Sequence, residues 1–380
     1  MTSSDSELDS QGPSPESTQV VQTTSVLAQL RAQVTKDRFS AWYAEQQFAE
    51  NILEGQAYFN GPADPKPPAR HSPSTLLECH RKASYKRQNA PKEDTPPEGL
   101  FWIGTEFEER LAVPFLQDVT PPDTYVTNSV WIDHELTVDG VTVQLRGATD
   151  PAIVTPDDDP LLVTEIKTTS SLDHLSGPKE AHKAQLHAYL AALNADYDHE
   201  ISTGLLVYAS RTTLDVEVFE VAFDEAFWEA VTEWMAALTT YEQAGELPPA
   251  SPERDWECSY CSFKHRCGEA DTPYSDIGHD GLLPLFDNYD TENLKAYLNA
   301  HAERDARLTP TLAHKFPRLA DEYGVYDWAC PSCGETFDWK NIDWETDSTD
   351  PPYCPSCLKA GEMVTIAGPE PEDQLTAPGE

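Results

Sequence analysis

The sequence is short of basic residues. Its 380 residues include 26 Lys and Arg against 66 Asp and Glu, which gives a net charge of −40. Only 24% of the residues are charged, so the imbalance reflects scarce Lys and Arg rather than one acidic tail. Such a bias is typical of proteins adapted to a very salty cytoplasm, where a Debye length of roughly 3 Å screens the repulsion. An ordinary acidic protein is the alternative.

The scarcity of Lys and Arg argues against a nucleic-acid ligand at first sight, because phosphate binding usually depends on these residues. Salt, however, weakens binding by counterion release for every protein. A nucleic-acid enzyme in high salt must therefore rely on local basic clusters and short-range contacts, and the net charge alone excludes no ligand class.

The sequence also lacks an apolar run of 18 residues and a basic–apolar leader. We therefore expect neither a membrane span nor a secretion signal. Its eight cysteines could form disulfides in a secreted protein, but they occur in sets with metal-site spacing. That spacing predicts a reducing, cytoplasmic location.

Composition and periodicity divide the chain into five segments. Residues 1–24 are rich in Ser, Thr, Gln and Pro, which predicts a disordered tail. The expected units are a main domain at 25–272, a helical linker or small helical unit at 273–325, a cysteine-rich unit at 326–365 and a disordered tail at 366–380.

The main domain is predicted to be α/β, with a mixed central sheet flanked by helices. Ser74 could cap a helix that carries Cys79, and Asp139-Gly140 predicts a tight hairpin. Residues 150–155 are expected to continue the sheet of that hairpin. The predicted helices are 27–53, 74–85, 98–116, 179–194 and 224–243, and the predicted strands are 124–138, 141–148, 150–155, 161–168, 201–209 and 214–222.

Three groups of polar residues come together in this domain. Asp150 follows Gly147-Ala148-Thr149 at a strand end or turn, and Glu165 and Lys167 share one face of a strand. Gln185 and Tyr189 lie four residues apart on a helix and share its face. Each group alone is more often a solvated surface, but their order along predicted strand, strand and helix favours a joint site.

The chemistry that suits this set is phosphodiester hydrolysis. Two carboxylates can hold Mg²⁺ or Mn²⁺, which prefer oxygen ligands. The metal polarises the phosphate and lowers the pKa of a bound water. A neighbouring lysine can orient that water and offset developing negative charge.

Residues 74–270 resemble RecB-like PD-(D/E)XK nucleases, especially the CRISPR-associated iron–sulfur exonucleases and the AddB nuclease domain. The resemblance implies a restriction-endonuclease-like core, a catalytic Lys167 and a Q-x-x-x-Y motif at Gln185 and Tyr189. Gly104 to Glu109 resembles the family's G-x-x-x-H-E helix, but Glu108 stands where His is common. The Mg²⁺ or Mn²⁺ site implied in this way comprises Glu108, Asp150, Glu165 and Ile166.

One set of cysteines combines a triplet with a distant partner. Cys258, Cys261 and Cys267 are one short of the four ligands of a 4Fe–4S cluster, and Cys79 can complete the set. The residues around Cys79 resemble the family's N-terminal cluster motif. The alternatives are a zinc site or unligated thiols.

The other set has the spacing of a zinc ribbon. Cys330 and Cys333 form one C-P-S-C knuckle, and Cys354 and Cys357 form another. This spacing predicts a closed structural Zn²⁺ site. The aromatic residues around it, which we expect to pack rather than to stack on bases, are Trp328, Phe337, Trp339 and Trp344.

The leading functional hypothesis is a metal-dependent deoxyribonuclease that acts on DNA ends or single strands, in DNA repair or CRISPR-type defence. Other repair or CRISPR proteins are its possible partners. The alternatives are a non-catalytic iron–sulfur adaptor that binds nucleic acid and an iron–sulfur redox protein. The intact Asp150, Glu165 and Lys167 count against an adaptor, whereas Glu108 leaves it open.

Overall fold

The computed structural model divides the chain into two units, residues 1–60 and 61–380. It describes residues 28, 30–35, 38–39, 41–43, 45–46, 66–94, 98–198, 200–270, 272–274, 276–286, 288–344 and 350–376, with the backbone alone at 98–101. The predicted tail at 1–24 and most of the predicted helix at 27–53 lie outside these residues. Nearly all the described residues of the first unit before position 47 are helical, with 34–35 as the exception.

The described residues of the second unit form three sheets, of five, three and two strands, together with ten α-helices. Its strands are β1 Arg70–His71, β2 Tyr125–Thr127, β3 Trp131–Val138, β4 Val141–Ala148, β5 Ala152–Val154, β6 Pro160–Thr169, β7 Thr203–Ser210, β8 Val216–Ala222, β9 Trp328–Ala329 and β10 Thr336–Phe337. Its α-helices are α1 His80–Arg87, α2 Glu98–Phe107, α3 Val113–Val119, α4 Glu180–Asp196, α5 Glu225–Ala244, α6 Lys264–Cys267, α7 Thr291–Ala300, α8 Pro310–Lys315, α9 Pro317–Tyr323 and α10 Pro355–Lys359.

The central sheet has five strands in the order β2-β5-β6-β7-β8. Strands β6 and β7 are parallel and the other pairs are antiparallel, so the sheet is mixed, as the sequence predicts. Helix α4 connects the parallel pair and is buried over most of its length, because its small and apolar residues pack on β6 and β7. Gly204 makes this contact possible, since a Cβ there would lie 2.8 Å from the Leu186 side chain.

A second sheet contains the predicted hairpin and has the order β1-β4-β3. Asp139 and Gly140 both have positive φ, at 49° and 84°, which is the geometry of a tight two-residue turn. This turn confirms the hairpin prediction.

Two details of the predicted sheet are wrong. Strand β5 pairs with β2 and β6 rather than continuing the hairpin sheet, and the predicted strand at 124–138 is split into β2 and β3. The chain changes sheets at Thr149, whose hydroxyl accepts from Val130 N and donates to Asp150 O. Pro151 then follows, and it has no N–H to offer a continuing ladder.

Helix α1 begins later than the predicted Ser74 cap. Ser74 lies in a separate 3₁₀ turn at Pro73–Thr75, and Leu77 has a φ of 60° that interrupts a helix. The helix starts at His80, with Cys79 at the N-cap position. The cysteine therefore precedes the helix instead of lying within it.

The C-terminal part forms a helical cluster and a small cysteine-rich unit, each with its own apolar core. Residues assigned by sequence to a tail make specific contacts here. The buried Gln374 side chain accepts from Leu282 N at 2.6 Å and donates to Leu282 O at 2.7 Å. No helix in the described part of the chain is long and apolar enough to cross a bilayer.

Candidate active site and cysteine groups

The carboxylate of Asp150 is held at an open edge of β6. Thr164 N donates to Pro151 O at 3.1 Å, and the ladder between β5 and β6 ends there. Ile166 N, two residues later, donates instead to Asp150 Oδ2 at 2.7 Å. A backbone N–H that is not used by the β5–β6 ladder therefore fixes the orientation of this carboxylate.

The same geometry places the carbonyl of Ile166 beside Asp150. In a β-strand the N–H and C=O of one residue point to the same side. The Ile166 side chain has no metal ligand, so this carbonyl is the only group that the residue can offer to a cation. The fold is therefore compatible with Ile166 in the metal site, provided that its backbone carbonyl is the ligand.

Glu165 lies on β6 with no exposed surface. Lys167 Nζ contacts its Oε1, yet neither Glu165 oxygen receives a hydrogen bond of normal geometry from the described residues. Burial, and secondly the Asp150 charge, raises the pKa of Glu165 to about 8. Burial alone would lower the pKa of Lys167, but Glu165, Asp150 and Glu108 raise it overall.

Glu108 reaches this cluster from a different element. It begins a π-helical turn at Glu108–Ala112, in which Val113 N donates to Glu108 O. The preceding helix α2 lies against β6, since a Cβ on Gly104 would be 3.8 Å from Thr168 Oγ1. Burial, followed by the charges of Asp150 and Glu109, raises the pKa of Glu108 to about 7.

Gln185 and Tyr189 are buried on α4. Gln185 Nε2 donates to the Tyr189 hydroxyl at 2.7 Å. The Glu165 and Asp150 charges are among the causes that, after burial, raise the pKa of Tyr189 well above its ordinary value. The pair therefore lies against the acids of β6 and can hold them in place.

These residues fit a divalent cation. The Asp150 charge is among the causes that raise the pKa values of both Glu108 and Glu165, and all three residues supply the oxygen ligands that Mg²⁺ and Mn²⁺ prefer. Two buried and unsatisfied Glu165 oxygens are costly unless a cation or proton compensates them.

The first cysteine group, which comprises Cys79, Cys258, Cys261 and Cys267, surrounds a cavity of about 600 Å³. Ser251 N donates to Cys79 Sγ at 3.3 Å, and Arg81 Nη1 donates to Cys267 Sγ at 3.7 Å. Donors to sulfur of this kind are typical of iron–sulfur sites. Its four sulfur atoms do not all lie within 4.8 Å of one another.

The second cysteine group comprises Cys330, Cys333, Cys354 and Cys357. Its four sulfur atoms all lie within 4.8 Å, and the Cys330–Cys357 and Cys333–Cys354 Sγ distances are 3.8 and 3.7 Å. Tetrahedral Zn–S bonds of 2.3 Å place sulfur atoms about 3.8 Å apart. Backbone N–H groups of Cys333 and Ser332 lower the pKa of Cys330 to about 7, whereas burial and the neighbouring thiols raise the pKa of Cys357 to about 12, so the metal-free site retains protons that a metal must displace.

Comparison with known proteins gives the family. Residues 29–268 match the family model of the PD-(D/E)XK nuclease superfamily. The chain belongs to this nuclease superfamily. Its members use divalent metals and act on nucleic acid, which agrees with the carboxylates around β6. No curated protein matches the sequence significantly.

Several solved structures are similar to this PD-(D/E)XK protein. A structure described as SSO0001 has 22% identity and a TM-score of 0.39, with 59% of this chain and 95% of that chain covered. An alkaline exonuclease from Laribacter hongkongensis has 16% identity and a TM-score of 0.33, with 47% and 90% covered. The same exonuclease in complex with dAMP has 16% identity and a TM-score of 0.32, with 46% and 90% covered.

Sequence reasoning missed a polar pair beside Lys167. His182 Nδ1 and the Tyr208 hydroxyl are 2.8 Å apart, and Tyr208 pairs with Lys167 across β6 and β7. Burial, and then the charges of Lys167 and Lys179, lower the pKa of His182 to about 3, so the imidazole is neutral. The signal was available, because His182 lies three residues before Gln185 on the same helix.

Proposed function

We propose that this PD-(D/E)XK protein is a Mg²⁺- or Mn²⁺-dependent deoxyribonuclease that acts on DNA ends or single strands. The observation that supports the proposal most directly is the convergence of Asp150, Glu165 and Lys167 at the open edge of β6. An ordinary solvated strand face would not bury two carboxylates against each other, because burial of like charges is costly.

The proposed roles follow from the contacts. A bound divalent cation would supply charge neutralisation at the phosphate and an activated water. Glu108, Asp150, Glu165 and the Ile166 carbonyl would bind it. The Lys167 ammonium would orient the attacking water and compensate charge that develops on the phosphate. Gln185 and Tyr189 would hold Glu165 in position.

We propose structural roles for both cysteine groups. The first would hold a 4Fe–4S cluster that ties the start of α1 to the segment after α5, and the Cys258, Cys261 and Cys267 triplet with the distant Cys79 supports this proposal. The second would hold Zn²⁺ in a closed four-sulfur site. A role in DNA repair or CRISPR-type defence rests on the resemblance of residues 74–270 to the iron–sulfur exonucleases.

The decisive experiment is digestion of end-labelled single- and double-stranded DNA in high salt with Mn²⁺ or Mg²⁺. Protein purified without oxygen is compared with Lys167→Ala, and Lys359→Ala, which replaces an exposed lysine of the cysteine-rich unit, serves as a matched control. We expect cleavage by the wild type and the control and a loss of at least about 10³-fold in Lys167→Ala, because a preorganised charge at the reacting group is removed. The visible absorbance of all three proteins should be equal.

Two outcomes would contradict the proposal. Equal activity of Lys167→Ala and the wild type would remove this lysine from the chemistry. Binding of DNA without cleavage, under every metal condition, would favour the alternative of a non-catalytic adaptor. Glu108 would then be the first residue to replace, with His, to test whether activity is restored.

A further inference from the structure

A second site lies near β1 and α1, away from the carboxylates. Residues 66–92 contain seven of the 26 Lys and Arg of the chain and a single acidic residue, Glu78. Five of the seven line a cavity of about 350 Å³ that has no acidic lining residue. We call this cavity the basic pocket, and its five basic residues are Lys66, Arg70, Lys86, Arg87 and Lys92.

Three members of the basic pocket lack an acidic partner. Lys86 pairs with Glu78 and Arg87 pairs with the buried Glu242. Lys66, Arg70 and Lys92 have no carboxylate within 4.0 Å among the described residues, and the buried Arg70 Nε has no hydrogen-bond partner there. In a chain of net charge −40, five cations in one pocket with only two carboxylates in ion pairs to them leave a local excess of positive charge.

The crowding of positive charges lowers the pKa of one lysine in the basic pocket. Burial, followed by the charges of Arg70, Arg87 and Lys86, lowers the pKa of Lys66. Lys66 Nζ donates to Ser72 Oγ at 3.3 Å, so a hydroxyl rather than an anion satisfies it within the protein. An external anion would relieve this repulsion and gain several charged hydrogen bonds at once.

We propose that the basic pocket binds a backbone phosphate of the nucleic-acid strand, several nucleotides away from the bond at the carboxylate site. The proposal rests on the proposed function, because it assumes that the carboxylate site holds a phosphodiester. Elsewhere the acidic surface repels a polyanion, so the pocket gives the strand a local attractive contact.

The strand topology limits the distance between the basic pocket and the carboxylate site. Arg70 pairs with Gln144 on β4, and the chain runs from Gln144 through six residues to Asp150. The Cα atoms of Gln144 and Asp150 are therefore at most about 22 Å apart. Successive phosphates of a duplex strand advance about 3.4 Å along the axis, so a strand along this path would need at most about six nucleotides between the two sites.

The test measures binding of oligonucleotides of 4 and 20 nucleotides over a series of salt concentrations, without added divalent cation so that no strand is cut. Lys66→Ala with Lys92→Ala is compared with Lys340→Ala with Lys359→Ala, which removes the same charge from exposed residues that do not line the pocket. We expect the pocket variant to bind the 20-mer at least tenfold more weakly. Its slope of log affinity against log salt should flatten by about 0.7 for each lost contact on a single strand.

The 4-mer carries phosphates that can occupy the pocket without reaching the carboxylates, so it should also bind the pocket variant more weakly than the control variant. Unchanged 20-mer affinity, or an equal loss in both double variants, would overturn the proposal. Loss of inorganic phosphate binding with unchanged 20-mer affinity would assign the pocket to a free anion and also overturn it. The thermal unfolding temperature should not fall, since removal of crowded like charges does not destabilise a fold.

Failure of this proposal and failure of the proposed function are distinguishable. A wild type that cleaves DNA, while the pocket variant keeps full affinity, disproves the pocket alone. Salt-dependent loss of binding in the pocket variant, with no cleavage by the wild type, disproves the nuclease and retains the pocket.

Discussion

The two cysteine groups have four sulfur atoms each but differ in how far apart their cysteines lie in the chain. The second group lies between positions 330 and 357, and its sulfur atoms already have the spacing of a tetrahedral ion. The first joins position 79 to positions 258–267 around a cavity of about 600 Å³. A short segment can prepare a single-ion site by itself, whereas the wide site depends on the fold that it connects.

The largest expected effect is that of Cys79→Ala. We expect loss of iron and of visible absorbance, together with destabilisation of the nuclease unit on the order of 4 kcal/mol, because a crosslink across a loop of this length restricts the unfolded chain by about that much. Iron analysis and denaturant unfolding measure both effects. An unchanged spectrum and iron content would remove Cys79 from the ligand set.

Replacement of Cys330 should have a smaller and local effect. Cys330→Ala should lose zinc and unfold the short strands β9 and β10, because metal binding supplies most of the folding free energy of so small a unit. Visible absorbance and nuclease activity should persist, which zinc analysis and the cleavage assay would show. Loss of iron in this variant would mean that the two groups are not independent.

The carboxylate site is a third proposed metal site, and its ligands are oxygen atoms rather than sulfur atoms. Glu108 and Glu165 have pKa values raised to about 7 and 8, mainly by burial, so the metal-free protein holds protons there that a metal must displace. Affinity for Mn²⁺ should rise by about tenfold per pH unit for each proton released, between pH 6 and 8. Calorimetry in two buffers measures the protons, and an affinity independent of pH would contradict this expectation.

The same shifts predict the stability of the metal-free protein. Between the ordinary carboxyl pKa and the raised values, the folded state binds more protons than the unfolded state. The free energy of unfolding should therefore fall as the pH rises from about 4.5 to 8. Saturating Mn²⁺ should abolish this dependence, because the carboxylates are then ionised in both the metal-bound folded state and the unfolded state above about pH 4.5.

The smallest expected effect concerns a donor to sulfur. Arg81 donates to Cys267 and also contacts Asp276, and the second group has no arginine at its sulfur atoms among the described contacts. Arg81→Gln should keep iron but lower the reduction potential of the cluster slightly, because a positive donor to a ligand sulfur is removed. A redox titration of the absorbance measures the shift, with Arg318→Gln, which replaces an exposed arginine of α9 that does not line the cavity, as the control.

The local parts of the site follow from sequence patterns. The hairpin at Asp139-Gly140, the shared face of Glu165 and Lys167 and the helix carrying Gln185 and Tyr189 each depend on residues close in the chain. Turn chemistry and side-chain periodicity are enough to predict such features. The roles of these residues stay predictions until cleavage is measured.

The parts that sequence missed depend on contacts between distant segments. The change of sheet at Thr149 requires Val130, and the position of the C-terminal Gln374 requires Leu282. The basic pocket was missed for the same reason. Its basic residues line one cavity only after β1 and α1 are packed together, and they stand out only in comparison with the acidic composition of the rest of the chain. Periodicity carries no information on such pairings.

The π turn at Glu108–Ala112 has an evolutionary consequence. Its i→i+5 hydrogen bond accommodates one residue more than an α-helical turn, and such turns are frequent at functional sites. Loss of a single residue here would restore a regular helix and rotate Glu108 relative to α3. Relatives with an uninterrupted helix should therefore align with a one-residue gap directly after this position, and a deletion of Leu111 would recreate their geometry in the present chain.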